Sequence, residues 1–259
     1  MSKINIGEAV RAAWMFWRTH TREAAGVLSL ATAGGILSSW GGMMAIPAAL
    51  TLGSFVNFAG AVMGGCALMR LALADRHPSD AAFVPGRAGY QWTRQEWRAI
   101  GATCAGIIAL IVPWLAIGFT GVGVYNLVAG PPPQGGGLSP VGVISVFLGL
   151  AIGGYLAMRV FLAPIASLDH KRFTLAWSLT KGHVWSILLA YLATVGPLLL
   201  FYMVANAIIR SIPPTQVGIA ASLAGFAVVG LSAEFVQIPV TIGVLAHLYR
   251  ALAPPADPA

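Results

Sequence analysis

Six long apolar runs, separated by shorter polar stretches, dominate the pattern of the chain. A membrane-spanning helix needs about 20 consecutive apolar residues, because the hydrocarbon core of a bilayer is about 30 Å thick. The six runs cover approximately residues 24–48, 51–70, 100–128, 141–159, 185–209 and 217–249. The pattern therefore predicts an all-α polytopic membrane protein, with six transmembrane helices arranged as three hairpins.

Two segments beside these runs have the period of amphipathic helices. In "IGEAVRAAWMFWRTH" the residues that share one apolar face are Ile6, Val10, Ala13, Trp14 and Trp17. In the segment before the fifth run they are Phe173, Ala176, Trp177, Thr180 and Val184. Asp169 is the expected N-cap of this second helix and Gly182 its expected end. Tryptophan on an apolar face is typical of helices in the membrane interface, so we expect amphipathic interfacial helices on the cytoplasmic side.

Composition supports a membrane class and limits the partners. The chain is 58% hydrophobic and 9% charged, whereas soluble domains carry about 25% charged residues. The net charge of +7 would suggest nucleic acid in a soluble protein. In a membrane protein, basic residues collect at the cytoplasmic face, where they meet anionic head groups. We therefore expect membrane lipids and other membrane proteins as partners, and no nucleic acid.

The basic residues also predict the orientation of the chain. Fourteen of the fifteen lysines and arginines precede the odd-numbered runs or follow the even-numbered ones, and Arg210 alone falls on the other side. The positive-inside rule makes the crowded side cytoplasmic, with both termini inside. Arginine far outnumbers lysine, and alanine and glycine are frequent, which indicates a bacterial origin. The predicted location is the bacterial inner (cytoplasmic) membrane.

An internal repeat predicts how the single membrane domain is divided. "AWMFWRTH" at 13–20 matches "AWSLTKGH" at 176–183, and each even-numbered run ends near an arginine. We expect one domain over residues 1–259. Its parts are an entry helix (1–23), hairpin 1 (24–75), an interfacial segment with hairpin 2 (76–168), an interfacial helix with hairpin 3 (169–250) and a disordered tail (251–259).

The repeat also affects how the arginines are interpreted. An isolated arginine in an apolar segment is a candidate functional residue. Three arginines in equivalent positions favour anchors whose side chains extend to the lipid–water boundary. The predicted interface anchors are Arg70, Arg159, Arg250, Trp14, Trp17, Trp177 and Trp185.

A motif lies between the fourth and fifth runs. Its residues are Arg159, Pro164, Asp169, Ser178, Leu179, Thr180, Gly182 and Trp185. The motif resembles that of bacterial membrane domains of the glycerophosphodiester phosphodiesterase membrane-domain type and of related uncharacterised inner-membrane families. The resemblance implies a six-span membrane fold. In proteins of that name the phosphodiesterase chemistry belongs to a separate soluble domain, so the resemblance implies no enzymatic activity for this chain.

Glu234 is the main acidic residue within an apolar run. A carboxylate at membrane depth costs about 2.5–3.5 kcal/mol on insertion scales and usually faces a partner or a cavity. Arg210 ends the fifth run on the same side, so an intramembrane polar pair of Glu234 and Arg210 is the first interpretation. The alternatives are a substrate, proton or ion site, and simple contact with solvent.

Smaller features predict how the helices pack. Gly60 with Gly64, and Gly149 with Gly153, form small-xxx-small pairs that let helices approach closely within the fold. The amides expected to form interhelical hydrogen bonds are Asn57, Asn126 and Asn206. The prolines expected to kink spans are Pro113, Pro197 and Pro239.

The sequence contains no recognisable set of nucleophile, base and orienting residue, no phosphate-binding loop and no metal triad. We expect no catalytic, cofactor-binding or metal-binding residues and no cofactor. The leading hypothesis is a non-enzymatic accessory or scaffold protein, or a subunit of a membrane assembly. The alternatives are a small transporter or channel that uses Glu234 and proline-kinked spans, and a lipid-handling membrane enzyme.

The predicted topology can be tested with reporter fusions. Alkaline phosphatase fused after residue 253 is expected to be inactive, because it folds only outside the cytoplasm, while the same enzyme inserted between residues 131 and 138 is expected to be active. Activity of the C-terminal fusion would contradict the predicted orientation.

Overall fold

The computed structural model of the protein describes residues 4–74, 94–130, 139–169, 173–212 and 216–253. The helices in this part of the chain are α1 (Ile6–Thr19), α2 (Thr21–Met43), α3 (Pro47–Ala72), α4 (Arg94–Ala129), α5 (Pro140–Val160), α6 (Ala163–Leu168), α7 (Phe173–Leu179), α8 (Val184–Ser211), α9 (Gln216–Ser232) and α10 (Ile238–Leu252). A π-helical segment, Ala233–Gln237, joins α9 to α10 without a break. The all-α prediction is confirmed.

Six stretches of helix are long and apolar enough to cross a membrane. They are Thr21–Gly42, Pro47–Ala72, Trp97–Val128, Pro140–Leu168, Val184–Ile209 and Ala227–Leu252. Each corresponds to one of the six predicted runs, so the protein is a multi-pass membrane protein. The predicted interfacial segment at 76–93, the loop at 131–138 and the tail after 253 lie outside the described residues.

Short polar caps and prolines set several helix starts. The Asn5 side chain accepts hydrogen bonds from the backbone N–H groups of Gly7 and Glu8, which begins α1. The Ser139 hydroxyl accepts from the Gly142 N–H at the start of α5. Proline is favoured in the first turn of a helix because its missing N–H has no intrahelical role there. Pro47 and Pro140 occupy that position in α3 and α5.

Glycines bring α2 and α3 into close contact. A Cβ atom at Gly60 would overlap the backbone of Ala31, and one at Gly64 would overlap the backbone of Val27. In the second hairpin, Gly149 and Gly153 of α5 lie against the backbone of α4 in the same way. Both predicted glycine pairs therefore serve packing within the fold.

The buried core lies at one end of the bundle. This end contains α1, α6 and α7, the first turns of α2 and α8, and the last turns of α3, α5 and α10. Fully buried side chains there include Leu28, Leu68, Ile165, Ile187 and Tyr249. Toward the opposite end the spans present apolar side chains outward, and only 6% of an 18-residue apolar window within Trp97–Val128 is buried.

The first helix packs on the last one. Ala9 and Ala13 of α1 are fully buried, and a Cβ atom at Gly243 of α10 would overlap the backbone of Ala13. Much of the apolar face predicted to lie in lipid therefore contacts protein. Small residues on both helices permit this approach.

The short helices α6 and α7 form a compact turn between α5 and α8. Asp169 is not the N-cap of α7, because it ends α6 and its Oδ2 atom accepts a hydrogen bond of 2.6 Å from the Tyr249 hydroxyl. Gly182 has φ of +82°, a left-handed conformation that favours glycine, and α8 begins two residues later. α7 ends at Leu179, before the predicted end at Gly182, and Gly182 lies in the turn between α7 and α8.

The glycine contact predicts a clear stability difference within α3. Gly60→Ala is expected to destabilise the protein by about 1–3 kcal/mol, because the new methyl group overlaps the Ala31 backbone. Gly65→Ala is the matched control, since a Cβ atom there meets no atom within 4 Å. Unfolding in mixed detergent micelles, followed by circular dichroism, measures both. Equal stability of the two variants would contradict close packing at Gly60.

Candidate functional site: an intramembrane carboxylate and its cavity

Pro239 explains why the helix changes its hydrogen-bonding pattern just before it. In an α-helix the carbonyl of Phe235 would accept from the N–H four residues later, but proline has no N–H. One residue before the proline, the Ile238 N–H donates to the Ala233 carbonyl, five residues earlier, and not to the Glu234 carbonyl, four residues earlier. This is the hydrogen-bonding pattern of a π-helix. π segments of this kind are frequent at functional sites.

The N-terminal helix supplies the missing donor. The Trp17 Nε1–H group donates to the Phe235 carbonyl at 2.7 Å. A carbonyl in a span that lacks its helical partner otherwise stays unsatisfied, which is costly away from water. The bond between Trp17 and Phe235 therefore fixes α1 to the residue that follows Glu234.

Glu234 lies within this π segment and is held by Asn57 of α3. The Asn57 Nδ2 group donates one hydrogen bond of 2.8 Å to the Glu234 Oε1 atom and another of 2.8 Å to the Ala31 carbonyl of α2. Both partners of the amide nitrogen are acceptors, which fixes the orientation of the amide. Three spans thus meet at one polar point. The prediction of an interhelical hydrogen bond from Asn57 is confirmed, whereas Asn206 donates to Tyr202 within its own helix.

This point lies near the middle of the spans. Asn57 is ten residues from the start of α3 at Pro47, about 15 Å at 1.5 Å per residue. Half of a hydrocarbon core is also about 15 Å. Glu234 and Asn57 thus meet within helices that are apolar enough to cross a membrane, where an ionised carboxylate needs compensation.

The second oxygen of the carboxylate is free within the described part of the chain. Glu234 Oε2 is buried and has no hydrogen-bond partner among the described residues. The side chain of Tyr202 in α8 lies close to Ser232 and Glu234. One carboxylate oxygen is thus held by Asn57, whereas the other, like the nearby Tyr202 hydroxyl, is buried without a partner among the described residues.

A cavity of about 650 Å³ lies between α2, α3 and the last span, and Glu234 is one of its lining residues. Its polar lining residues are Thr32, Ser38, Ser39, Ser54, Asn57 and Glu234. The Ser38 and Ser54 hydroxyls are hydrogen-bonded to each other across the two helices at 2.9 Å. Glu234 is the one ionisable residue among the described residues that line the cavity. The site combines one acidic group with several hydroxyls at membrane depth.

The sequence predicts Arg210 as the partner of Glu234, whereas the observed partner is Asn57. Arg210 belongs to α8, but its side chain lies outside the described residues. The neighbouring Ile209 side chain lies at Gly225, which is nine residues before Glu234, about 13 Å along a helix. The pair of Arg210 and Glu234 stays a prediction, whereas the contact with Asn57 is observed.

The arginines predicted as equivalent anchors have different surroundings. Arg159 is 6% exposed and its guanidinium lies 4.4 Å from the centre of the Trp177 ring. Arg250 is exposed and donates to the Ala72 carbonyl at the end of α3, while Arg70 is half-buried. The three arginines therefore occupy equivalent positions in the sequence, but their side chains differ in exposure and in their partners.

The predicted tryptophan anchors differ as well. Trp185 is 71% exposed and Trp177 42% exposed, on the outer surface of the bundle. Trp14 and Trp17 are half-buried, with their rings in an edge-on contact at 5.7 Å. Anchoring in a membrane interface stays a prediction for all of these residues.

The motif between the fourth and fifth spans holds helices together. The Thr180 hydroxyl is fully buried and donates to the Arg159 carbonyl at 2.9 Å, which joins α7 to α5. Pro164 is buried in the first turn of α6. Ser178 donates to Leu175 within α7, and Leu179, half-buried, packs against the core. These contacts are structural, and none of them faces the cavity at Glu234.

The sequence reasoning missed the role of Trp17 and of the serines. Pro239 was the available signal, because a proline inside a span leaves the carbonyl four residues earlier without its donor. Ser38 and Ser54 lie on different helices, so only their contact across the hairpin turn reveals a shared lining.

The hydrogen bond of Trp17 can be tested by a double substitution. Trp17→Phe is expected to destabilise the protein by about 1–3 kcal/mol, because the Phe235 carbonyl loses its donor. Pro239→Ala restores a backbone N–H to that carbonyl, so Trp17→Phe should have a much smaller effect in the Pro239→Ala background. Unfolding in detergent micelles measures both.

Trp14→Phe is the matched control, since no hydrogen bond of its indole is seen within the described part of the chain. Equal losses from Trp17→Phe in both backgrounds would show that the indole acts by packing alone.

No family model, no curated protein and no solved structure matches the chain. Its function has to be inferred from the cavity and the residues around it.

Proposed function

We propose that the protein is a transporter of the bacterial inner membrane that binds a small solute in the cavity beside Glu234. The observation that carries the proposal is the carboxylate of Glu234, within an apolar span and in the wall of a cavity of about 650 Å³. Sites for small ligands have volumes of about 300–1,000 Å³ and a few convergent polar groups. The cavity has both properties.

The cavity favours a transporter over the accessory or scaffold protein suggested by the sequence alone. A helical scaffold has no need of a hydroxyl-lined space at membrane depth, where polar groups are costly unless they have a function. Transporters commonly place their sites near the bilayer midplane, beside irregular helices. The π segment before Pro239 is such an irregularity.

The other alternative, a lipid-handling enzyme, depends on a basic cytoplasmic face of six residues. Arg94, Arg98 and Lys181 are described, whereas Arg87, Lys171 and Arg172 lie outside the described residues. The resemblance to membrane domains of the glycerophosphodiester phosphodiesterase type remains a proposal about ancestry and assigns no activity.

Cysteine labelling tests whether water reaches the cavity. In a variant without Cys66 and Cys104, Thr32→Cys places a thiol on the cavity wall, and Ala33→Cys places one on the exposed surface of the same helix turn. A small charged methanethiosulfonate reagent reacts with hydrated thiols. We expect Thr32→Cys to react at least about tenfold faster than Ala33→Cys, because a lipid-facing thiol stays dry.

A transporter site opens to each side of the membrane in turn. Labelling of Thr32→Cys is therefore expected both in intact cells and in inverted vesicles. No labelling from either side would indicate a packed scaffold, and labelling from one side only would contradict transport.

A further inference from the structure

Three of the polar groups at the cavity, Asn57, Thr32 and Glu234, offer it no free donor, whereas the Ser38 and Ser54 hydroxyls bond to each other. The two N–H groups of the Asn57 amide are already used, one on Glu234 Oε1 and one on the Ala31 carbonyl. The Thr32 hydroxyl donates its proton to the Leu28 carbonyl, so it offers only lone pairs to the cavity. Glu234 Oε2 is an acceptor without a partner among the described residues. A ligand that fits this lining carries positive charge or hydrogen-bond donors.

The charge of the described lining residues favours a cationic ligand over an anionic one. Within the described part of the chain, Glu234 is the one ionisable residue that borders the cavity, and no lysine, arginine or histidine lies among the residues that line it. An ionised carboxylate in a low-dielectric environment attracts a cation strongly and repels an anion.

The size and the apolar walls favour an organic cation over a metal ion. The volume of about 650 Å³ far exceeds that of one ion. The other walls are apolar and include Ile36, Trp40 and Leu231. Hard cations such as Ca²⁺ require about six to eight oxygen ligands, whereas the Asn57 amide here presents N–H groups to the carboxylate. The face of an indole such as Trp40 attracts organic cations.

We propose that the solute is a lipophilic organic monocation. Its charge lies beside the Glu234 carboxylate and its apolar body between α2 and the last span, against Ile36, Trp40 and Leu231. This assignment rests on the proposed function and specifies the class of its substrate.

Binding can be measured with tetraphenylphosphonium, a permanent lipophilic cation, on the full-length protein in lipid nanodiscs. Empty nanodiscs give the background from partition into lipid. Equilibrium dialysis is expected to show saturable binding, and the ligand is expected to protect Thr32→Cys from the thiol reagent. Triphenylphosphine oxide, a neutral molecule of similar shape, is expected to bind at least about tenfold more weakly, because it lacks the charge.

Variants separate the charge from the apolar walls. Glu234→Gln is expected to weaken tetraphenylphosphonium binding at least about tenfold, while Glu234→Asp retains part of it. Trp40→Leu is expected to weaken binding by roughly 2- to 30-fold through loss of the indole face. Trp185→Leu is the matched control, because Trp185 is 71% exposed and does not line the cavity.

The outcomes distinguish the two proposals. Labelling of Thr32→Cys from both sides without tetraphenylphosphonium binding would overturn the substrate class and leave the transporter intact. Absence of labelling would overturn both. Equal binding of the neutral molecule, or unchanged binding in Glu234→Gln, would show that the cavity selects apolar shape and not charge. Should Glu234→Gln fail to fold, the neutral molecule and Trp40→Leu still decide.

Discussion

One missing backbone N–H group, at Pro239, organises the centre of this molecule. Without it the Phe235 carbonyl has no α-helical partner, the helix adopts a π segment, and an indole from the N-terminal helix donates in place of the backbone. The same segment carries Glu234 to Asn57 and to the cavity. The absence of the Pro239 N–H thus accounts for the hydrogen bond between the first helix and the last span, next to the candidate site.

The placement of polar groups follows from the absence of water in the hydrocarbon core. Hydroxyl and amide groups in the spans donate hydrogen bonds to backbone carbonyls, as Thr32, Thr194 and Asn57 do. Glu234 Oε2 and the nearby Tyr202 hydroxyl differ, because both are buried without a partner among the described residues. In such surroundings unsatisfied polar groups are costly, which singles out this region of the spans.

The features that depend on local pattern were predictable from the sequence. Apolar run length gave the six spans, and the glycine pairs of α3 and α5 gave close hairpin packing, because both follow from spacing along one helix. The position of α1 was not predictable, since an amphipathic face can bury against lipid or protein with the same periodicity. The partner of Glu234 was missed because Asn57 is 177 residues away in sequence. The equivalent arginines of the repeat diverge in environment, because packing of neighbouring helices and not sequence position determines their exposure.

The hydrogen bond between Trp17 and Phe235 joins residues 218 positions apart. During synthesis Trp17 leaves the ribosome long before its acceptor exists, so this bond forms only after residue 235 has been made. The carboxylate site, which shares the π segment with that acceptor, therefore takes its final form late in the assembly of the chain.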